Sequence, residues 1–126
     1  MCVASRSHRG IGASITLEQF LATDHVAIVP PAMGDRYVAR GLGEHTPRRR
    51  VVLEVQHYLA VPMIVKGAGL LAVLPMAVAE ALAHTGGLKL PFPVRLLPLT
   101  QYWHKRLTSD AGHRWLRQQI AALFMT

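Results

Sequence analysis

The sequence predicts an α/β fold in which a mixed, mostly parallel β-sheet is flanked by helices. The most apolar third of the chain, residues 51–82, alternates short aliphatic runs with segments of helix length. Its first run, at 51–55, is rich in β-branched residues, which favours a half-buried strand. Its second run, at 70–74, is continuously apolar and has the length of a fully buried strand. Because strands that alternate with helices form parallel sheets covered on both faces, these observations predict the fold class.

Glycine and proline divide this apolar stretch into its elements. Gln56 and His57 interrupt the first run, and a helix is predicted to open there with Pro62 near its first turn. Gly67 and Gly69 end that helix, because glycine readily takes the positive φ angles of helix C-termini. Pro75 then begins the next helix, where its missing N–H group costs nothing.

Local signals predict the remaining elements. Thr16 is expected to cap a helix at 14–22, because its hydroxyl can accept a bond from the first-turn amides. Pro98 lies inside an extended run at 94–104. Because proline is poorly tolerated in a central strand, this run is expected to be an edge strand or to bend at Pro98 between two strands. The other predicted elements are an edge strand at 2–4, strands at 25–29 and 88–90, a helix at 36–42, a charged connector at 44–50 and a final helix that begins near Ser109.

Composition limits the classes of function. The formal charge of +7, from 14 Lys and Arg against 7 Asp and Glu, is compatible with nucleic acid or with anionic ligands. The cationic residues are spread along the chain, which favours a solvated basic surface over a nucleic-acid interface. A single cysteine, Cys2, excludes an internal disulfide and fits a reducing, cytoplasmic location.

Neither a secretory signal nor a membrane span is predicted. The N-terminal residues lack a long apolar segment of the signal-peptide kind. Residues 58–83 have the length of a transmembrane helix, but Pro62, Gly67, Gly69 and Pro75 cut them into shorter pieces. We therefore expect no membrane contact.

The motifs of catalysis and of cofactor binding are missing. The seven histidines show no metal-ligand spacing, and no GxSxG sequence occurs. Gly10 and Gly12 lack the third glycine of a dinucleotide fingerprint. Gly67 and Gly69 precede a strand, which is the wrong order for a phosphate loop. The residues thus predict a binding module rather than an enzyme, with no catalytic residue, metal or cofactor.

Seven motifs in order resemble one family. They are CVASRSH at 2–8, ITLEQFL at 15–21, HVAIV at 25–29, the join from Gly41 to Arg50, VQHYLAVP at 55–62, GAGLLAVLP at 67–75, and the terminal pair WHKR and HRWLR at 103–106 and 113–117. Together they are similar to the effector-binding domain of LysR-type transcriptional regulators, in the nodulation-regulator-like branch. Arg9 departs from the pattern, since the family has proline there.

The resemblance implies a lobe of the type 2 periplasmic-binding-protein fold, truncated relative to the full two-lobed domain. Residues 1–93 would form the second effector-binding subdomain. Residues 94–126 would supply a returning strand and a C-terminal helix to a first subdomain that is otherwise missing. The winged helix-turn-helix is also absent from these residues, so DNA would be contacted only through that missing part. Unpartnered apolar residues such as Trp103, Trp115 and Phe124 predict self-association as a homo-oligomer.

The resemblance also points to a ligand-contacting turn. Gln56, His57 and Tyr58 match the family's effector loop at a strand end, where backbone amides of the following helix favour an anion such as the carboxylate of a small organic effector. The structural alternative is that His57 only caps the helix and Tyr58 belongs to the core.

Three further residues complete the predicted ligand site. Pro31 borders a neighbouring strand end, and Leu99 and Gln101 are expected at the hinge and the cleft floor. Two other classes of function stay open, namely a basic nucleic-acid-binding or protein-interaction module and a solute-binding protein of transport. Salt-dependent DNA binding with a slope of several charges would favour the first of these.

Overall fold

The computed structural model describes residues 2–4, 8–29, 33–81, 86–95 and 99–124. The strands are β1 (Cys2–Ala4), β2 (His25–Ile28), β3 (Val51–Val55), β4 (Ala72–Val73) and β5 (Gly86–Leu88). The α-helices are α1 (Leu17–Ala22), α2 (Met33–Leu42), α3 (Val61–Ala68), α4 (Met76–Ala81) and α5 (Ala111–Phe124). Short 3-10 helices lie at Gly43–Arg48, Tyr58–Ala60 and Lys105–Leu107.

The strands form a mixed arrangement that matches the predicted α/β class. β2 pairs with β3 in parallel, and β1 pairs antiparallel with both β4 and β5. A parallel bridge between His25 and Leu71 joins the two groups, since the Val26 N–H donates to the Leu71 carbonyl and the Leu71 N–H donates to the Asp24 carbonyl, each over 2.9 Å.

The position of β1 differs from the sequence prediction. An edge strand was expected at 2–4, but β1 lies between β4 and β5 and pairs on both sides. Its Cys2 and Ala4 side chains are buried. The three-residue segment carries no information about its long-range partners, so its central place is set by tertiary contacts alone.

The two apolar runs of the 51–82 stretch have opposite environments. The run at 70–74 is buried as predicted, although only Ala72–Val73 forms a strand. The strand at Val51–Val55 was predicted to be half-buried, and this is wrong, because its side chains are exposed except for Val55. Within the described residues β3 pairs only with β2, so it is an edge strand without a covering layer.

Helix α1 begins as its sequence predicts. The Thr16 hydroxyl accepts a hydrogen bond from the Gln19 N–H at 3.2 Å, and the Gln19 side-chain oxygen accepts one from the Thr16 N–H at 2.9 Å. This reciprocal capping box satisfies two amides at the helix start, which fixes the start at Leu17 rather than at residue 14.

Helix α2 is longer than predicted and packs closely at its end. It starts at Met33 instead of residue 36, and the expected connector after it is largely the 3-10 helix Gly43–Arg48. A Cβ atom at Gly41 would lie 2.7 Å from the Pro93 carbonyl oxygen and 2.8 Å from Phe92. The absence of a side chain at Gly41 therefore allows residues 92–93 to lie against α2.

Two apolar clusters form the core. One surrounds Phe20 and Leu71, and Phe92 packs its ring edge-on against Phe20 with centroids 5.1 Å apart. The other surrounds Val61 and Val65 of α3. Helix α5 contributes no buried residue to either cluster. The run at 94–104, expected to form an edge strand or to bend between two strands at Pro98, contains no strand over its described residues, 94–95 and 99–104.

The described helices include none whose length and apolar character would allow it to cross a bilayer.

Candidate functional site

The turn after β3 holds the first group of predicted site residues. Gln56 and His57 are exposed, and Tyr58 is half-buried against the cluster around Val61. His57 has an extended backbone and occupies the cap position of the 3-10 helix Tyr58–Ala60, but its side chain makes no capping bond. The imidazole is therefore left at the surface beside the start of α3, while Tyr58 serves partly as a core residue.

The backbone amides at this turn are partly engaged. The Ala60 N–H donates to the His57 carbonyl at 3.3 Å, and the Val61 N–H donates to the Tyr58 carbonyl. The 3-10 turn thus consumes donors that a helix N-terminus would otherwise offer to an anion. Recognition at this turn then depends more on the Gln56 and His57 side chains than on the backbone.

A second group of predicted residues lies in a separate cavity. This cavity has a volume of about 840 Å³ and lies between the extended segment 99–103 and α5. Its lining includes both Leu99 and Gln101 but not Gln56, His57 or Tyr58. The described structure therefore brings Leu99 and Gln101 together and keeps them out of the β3 turn. Pro31 lies outside the described residues.

Arg117 is a cavity residue that the sequence prediction missed. Its guanidinium donates to the carbonyl oxygens of Leu107 and Thr108, each at 3.2 Å, and to Nδ1 of His113 at 3.1 Å. It also lies over the ring of Trp103, 4.5 Å from the centroid. The i, i+4 spacing of His113 and Arg117 on an amphipathic helix was the available sequence signal.

The run of arginines before β3 is engaged in surface ion pairs. Arg48 pairs with Glu18 at 2.9 Å, and Arg50 pairs with Asp24. These contacts connect the run to α1 and to the start of β2. They agree with the predicted solvated basic surface, because paired arginines are less available to phosphates.

Metal-ligating side chains are dispersed. In the part of the chain that the structure describes, no three His, Cys, Asp or Glu side chains lie close enough to hold an ion. Cys2 is buried and takes part in no disulfide, and His25 is fully buried beside Phe20.

Comparison with models of protein families shows which family the chain belongs to. The model of the LysR substrate binding domain matches residues 1–124. The chain belongs to this family. The resemblance seen in its motifs is thereby confirmed over nearly its whole length, and so is its assignment as a LysR substrate-binding domain of transcriptional regulators.

The relatives that the chain matches include transcriptional regulators. The chain is 32% identical to the transcriptional activator NahR of Pseudomonas putida, with 98% of this chain and 42% of NahR covered. It is 28% identical to nodulation protein D of Azorhizobium caulinodans, with 96% and 40% covered. The chain thus spans about two fifths of the length of these relatives.

Solved structures show the same fold. The regulatory domain of MexT, a transcriptional activator in Pseudomonas aeruginosa, superposes with a TM-score of 0.76 at 22% identity, covering 96% of this chain and 61% of that domain. A transcriptional regulator from Vibrio parahaemolyticus gives 0.72 at 23% identity, with 93% and 56% covered. These likenesses confirm the predicted α/β lobe of the type 2 periplasmic-binding-protein kind.

Proposed function

We propose that this chain senses a small organic effector for a LysR-type transcriptional regulator. The effector that we favour carries a carboxylate. The chain acts by binding and not by catalysis, and it works in the cytoplasm, where DNA is located. DNA is contacted through another part of the regulator. Effector binding shifts the balance between arrangements of the regulatory domain, and that shift is passed to the DNA-binding part.

The observation that carries this proposal is the polar turn at the end of β3. Gln56 and His57 present exposed polar side chains directly after a strand, with half-buried Tyr58 forming an apolar base beside them. Ligands of α/β sheets bind outside the carboxyl ends of strands. Pro31 follows β2, the parallel neighbour of β3, and we include it in the site by its place in the sequence.

We also propose that the domain boundary lies near residue 93. Both core clusters are built from residues up to Phe92, while α5 buries none of its side chains. This distribution supports an assignment of 1–93 to one subdomain and of 94–126 to the other. Leu99 and Gln101, just past the boundary, then lie at the hinge between them.

A ligand titration tests the effector site. We would record two-dimensional amide NMR spectra of the chain with a set of small carboxylates and their matched neutral alcohols. At least one carboxylate should shift the resonances of Gln56, His57 and Tyr58. The variant His57→Ala should weaken its binding about tenfold, while His104→Ala, which alters another exposed histidine, should leave it unchanged. Equal effects of the two variants, or shifts confined to other residues, would overturn the proposed site.

A further inference from the structure

We propose that His8 is a pH-sensitive link between the end of α3 and the start of α1, and that acidification opens this link at the Gly10 amide. Both ring nitrogens of this half-buried imidazole are hydrogen-bonded to backbone groups, one of which lies 61 residues away in the chain. The inference does not rest on the effector proposal above, because the β3 turn lies at the opposite end of α3.

The two bonds of His8 fix which ring nitrogen carries the hydrogen. Nε2 lies 3.0 Å from the Gly69 carbonyl oxygen, and Nδ1 lies 3.2 Å from the Gly10 backbone nitrogen. A carbonyl oxygen only accepts and a backbone N–H only donates, so Nε2 must carry a hydrogen and Nδ1 must offer its lone pair. The arrangement therefore requires the neutral imidazole in its Nε2–H form.

A second proton on the imidazole acts on the two bonds in opposite ways. Histidine is the side chain that gains a charge as the pH falls from about 8 to 5. The imidazolium carries a hydrogen on both nitrogens, so Nε2 still donates to Gly69 while Nδ1 opposes the Gly10 N–H with a hydrogen of its own. Gly69 is the C-cap of α3, and the carbonyls at a helix C-terminus favour a positive charge. The charged ring thus stays on α3 and releases Gly10.

Gly10 connects the ring to the start of α1. Its carbonyl oxygen accepts a hydrogen bond from the side-chain amide of Gln19 at 3.2 Å. The oxygen of that same side chain closes the α1 capping box with Thr16. The residue after Gly10, Ile11, is buried in the core cluster around Phe20. Because Ile11 anchors the loop, release of the Gly10 N–H should change the loop locally without unfolding it.

Other charged groups surround the link without bonding to the ring. Those on the neighbouring described elements are Arg9 of the loop, Lys66 in the last turn of α3, Glu18 of α1 and Asp24 before β2. The two acids are paired with the arginines at 48 and 50. Residues 5–7, outside the described part of the chain, contain no acid. Among the described interactions, the two backbone bonds are therefore what distinguishes the neutral ring from the charged one.

His104 provides a matched control. Its Nδ1 accepts from the Arg106 N–H, two residues further on, at 3.2 Å, as Nδ1 of His8 does from the Gly10 N–H. Within the described residues the His104 ring makes no bond to a distant segment. Replacing His104 therefore removes a titrating histidine with the same local bond and leaves the link between α3 and α1 intact.

NMR spectroscopy of the ¹⁵N-labelled chain between about pH 7.5 and 5.5 tests the inference. At the upper pH the His8 ring should be the Nε2–H tautomer. As this ring gains its proton, the hydrogen-exchange protection of the Gly10 amide, relative to an unstructured peptide at the same pH, should fall about fivefold, the factor that one ordinary hydrogen bond contributes. The fall should have the same midpoint as the ring.

Two variants separate the His8 bond from a general effect of acid. In His8→Gln, whose side-chain amide can donate to Gly69 but does not titrate, Gly10 protection should change less than twofold over this pH range. His104→Gln should behave like the unmodified chain.

Three results would overturn the proposal. They are an Nδ1–H tautomer of His8 at pH 7.5, unchanged Gly10 protection while the His8 ring becomes charged, and an equal fall of protection in His8→Gln. Because the first two are measured in the unmodified chain, they stay decisive even when His8→Gln does not fold.

Discussion

Nε2 of His25 lies 2.8 Å from the carbonyl oxygen of Phe20, and the two rings are in contact with their centroids 4.4 Å apart. The carbonyl can only accept, so the imidazole donates from Nε2. This bond connects the end of α1 to the start of β2 in a fully buried position. The same residue begins the parallel bridge to Leu71, so His25 joins α1 to both groups of strands.

Replacing His25 with phenylalanine should destabilise the domain. The variant His25→Phe keeps an aromatic ring but leaves the Phe20 carbonyl without its donor, at a cost of about 1–3 kcal/mol for a buried unsatisfied group. The free energy of unfolding in urea measures this loss. The exposed residue His57 provides the control, and His57→Phe should change stability by no more than about 0.5 kcal/mol. Equal losses in the two variants would show that the buried bond contributes nothing.

Two helical glycines should respond to alanine with opposite signs. At Gly41 an added Cβ would meet the Pro93 carbonyl at 2.7 Å, so Gly41→Ala should cost about 1–3 kcal/mol by overpacking. At Gly67 nothing lies within 4 Å of the added Cβ, so Gly67→Ala should stabilise the protein by about 0.5–1 kcal/mol through helix propensity. Urea unfolding midpoints give both signs, and a gain at Gly41 would contradict the observed packing of residues 92–93.

The capping box of α1 should show measurable coupling. Thr16→Ala removes the hydroxyl that accepts from Gln19 and should cost about 1 kcal/mol, whereas Thr16→Ser should keep most of the stability. Combining Thr16→Ala with Gln19→Ala in a double-mutant cycle measures the reciprocal bond. Strictly additive losses would indicate that the two side chains act independently, although Gln19 also donates to the Gly10 carbonyl at 3.2 Å.

The apolar stripe of α5 should mediate self-association, as we propose for this chain. Leu116, Ile120, Leu123 and Phe124 follow an i, i+4, i+7, i+8 pattern and are all exposed, Leu123 by 74%. Leu123→Lys should shift the association of the chain to higher concentration in multi-angle light scattering. Gln119→Lys adds the same charge to the same helix off the stripe and serves as the control. A monomer at all micromolar concentrations in the unmodified chain would contradict the prediction.

Much of the fold could be predicted because it follows from neighbouring residues. The Thr16 cap, the end of α3 at Gly69 with its left-handed backbone, and the burial of residues 70–74 depend on short-range chemistry. The start of α5 is similar, since Asp110 accepts from the His113 N–H at 2.7 Å, close to the predicted signal at Ser109. The family motifs then supplied the order in which these elements combine.

The environment of each strand could not be predicted in the same way. Val51–Val55 has the composition of a covered strand, yet it lies at an edge with Val52 51% exposed. The segment Cys2–Ala4 resembles a terminal strand, yet it pairs on both sides. Strand composition reports that a residue suits a pleated surface, but it does not report which layers cover that surface.

The candidate sites likewise combine features that the sequence predicts with features that only the tertiary structure shows. The sequence alone determined that Gln56, His57 and Tyr58 follow a strand and open a helix, because the strand, the turn and the helix start are formed by residues that are consecutive in the chain. Only the tertiary structure decided that Leu99 and Gln101 line a cavity apart from that turn, with Arg117 fixed beside Trp103. Residues distant in sequence meet through packing, and the packing of α5 against segment 99–103 depends on contacts that no local pattern encodes.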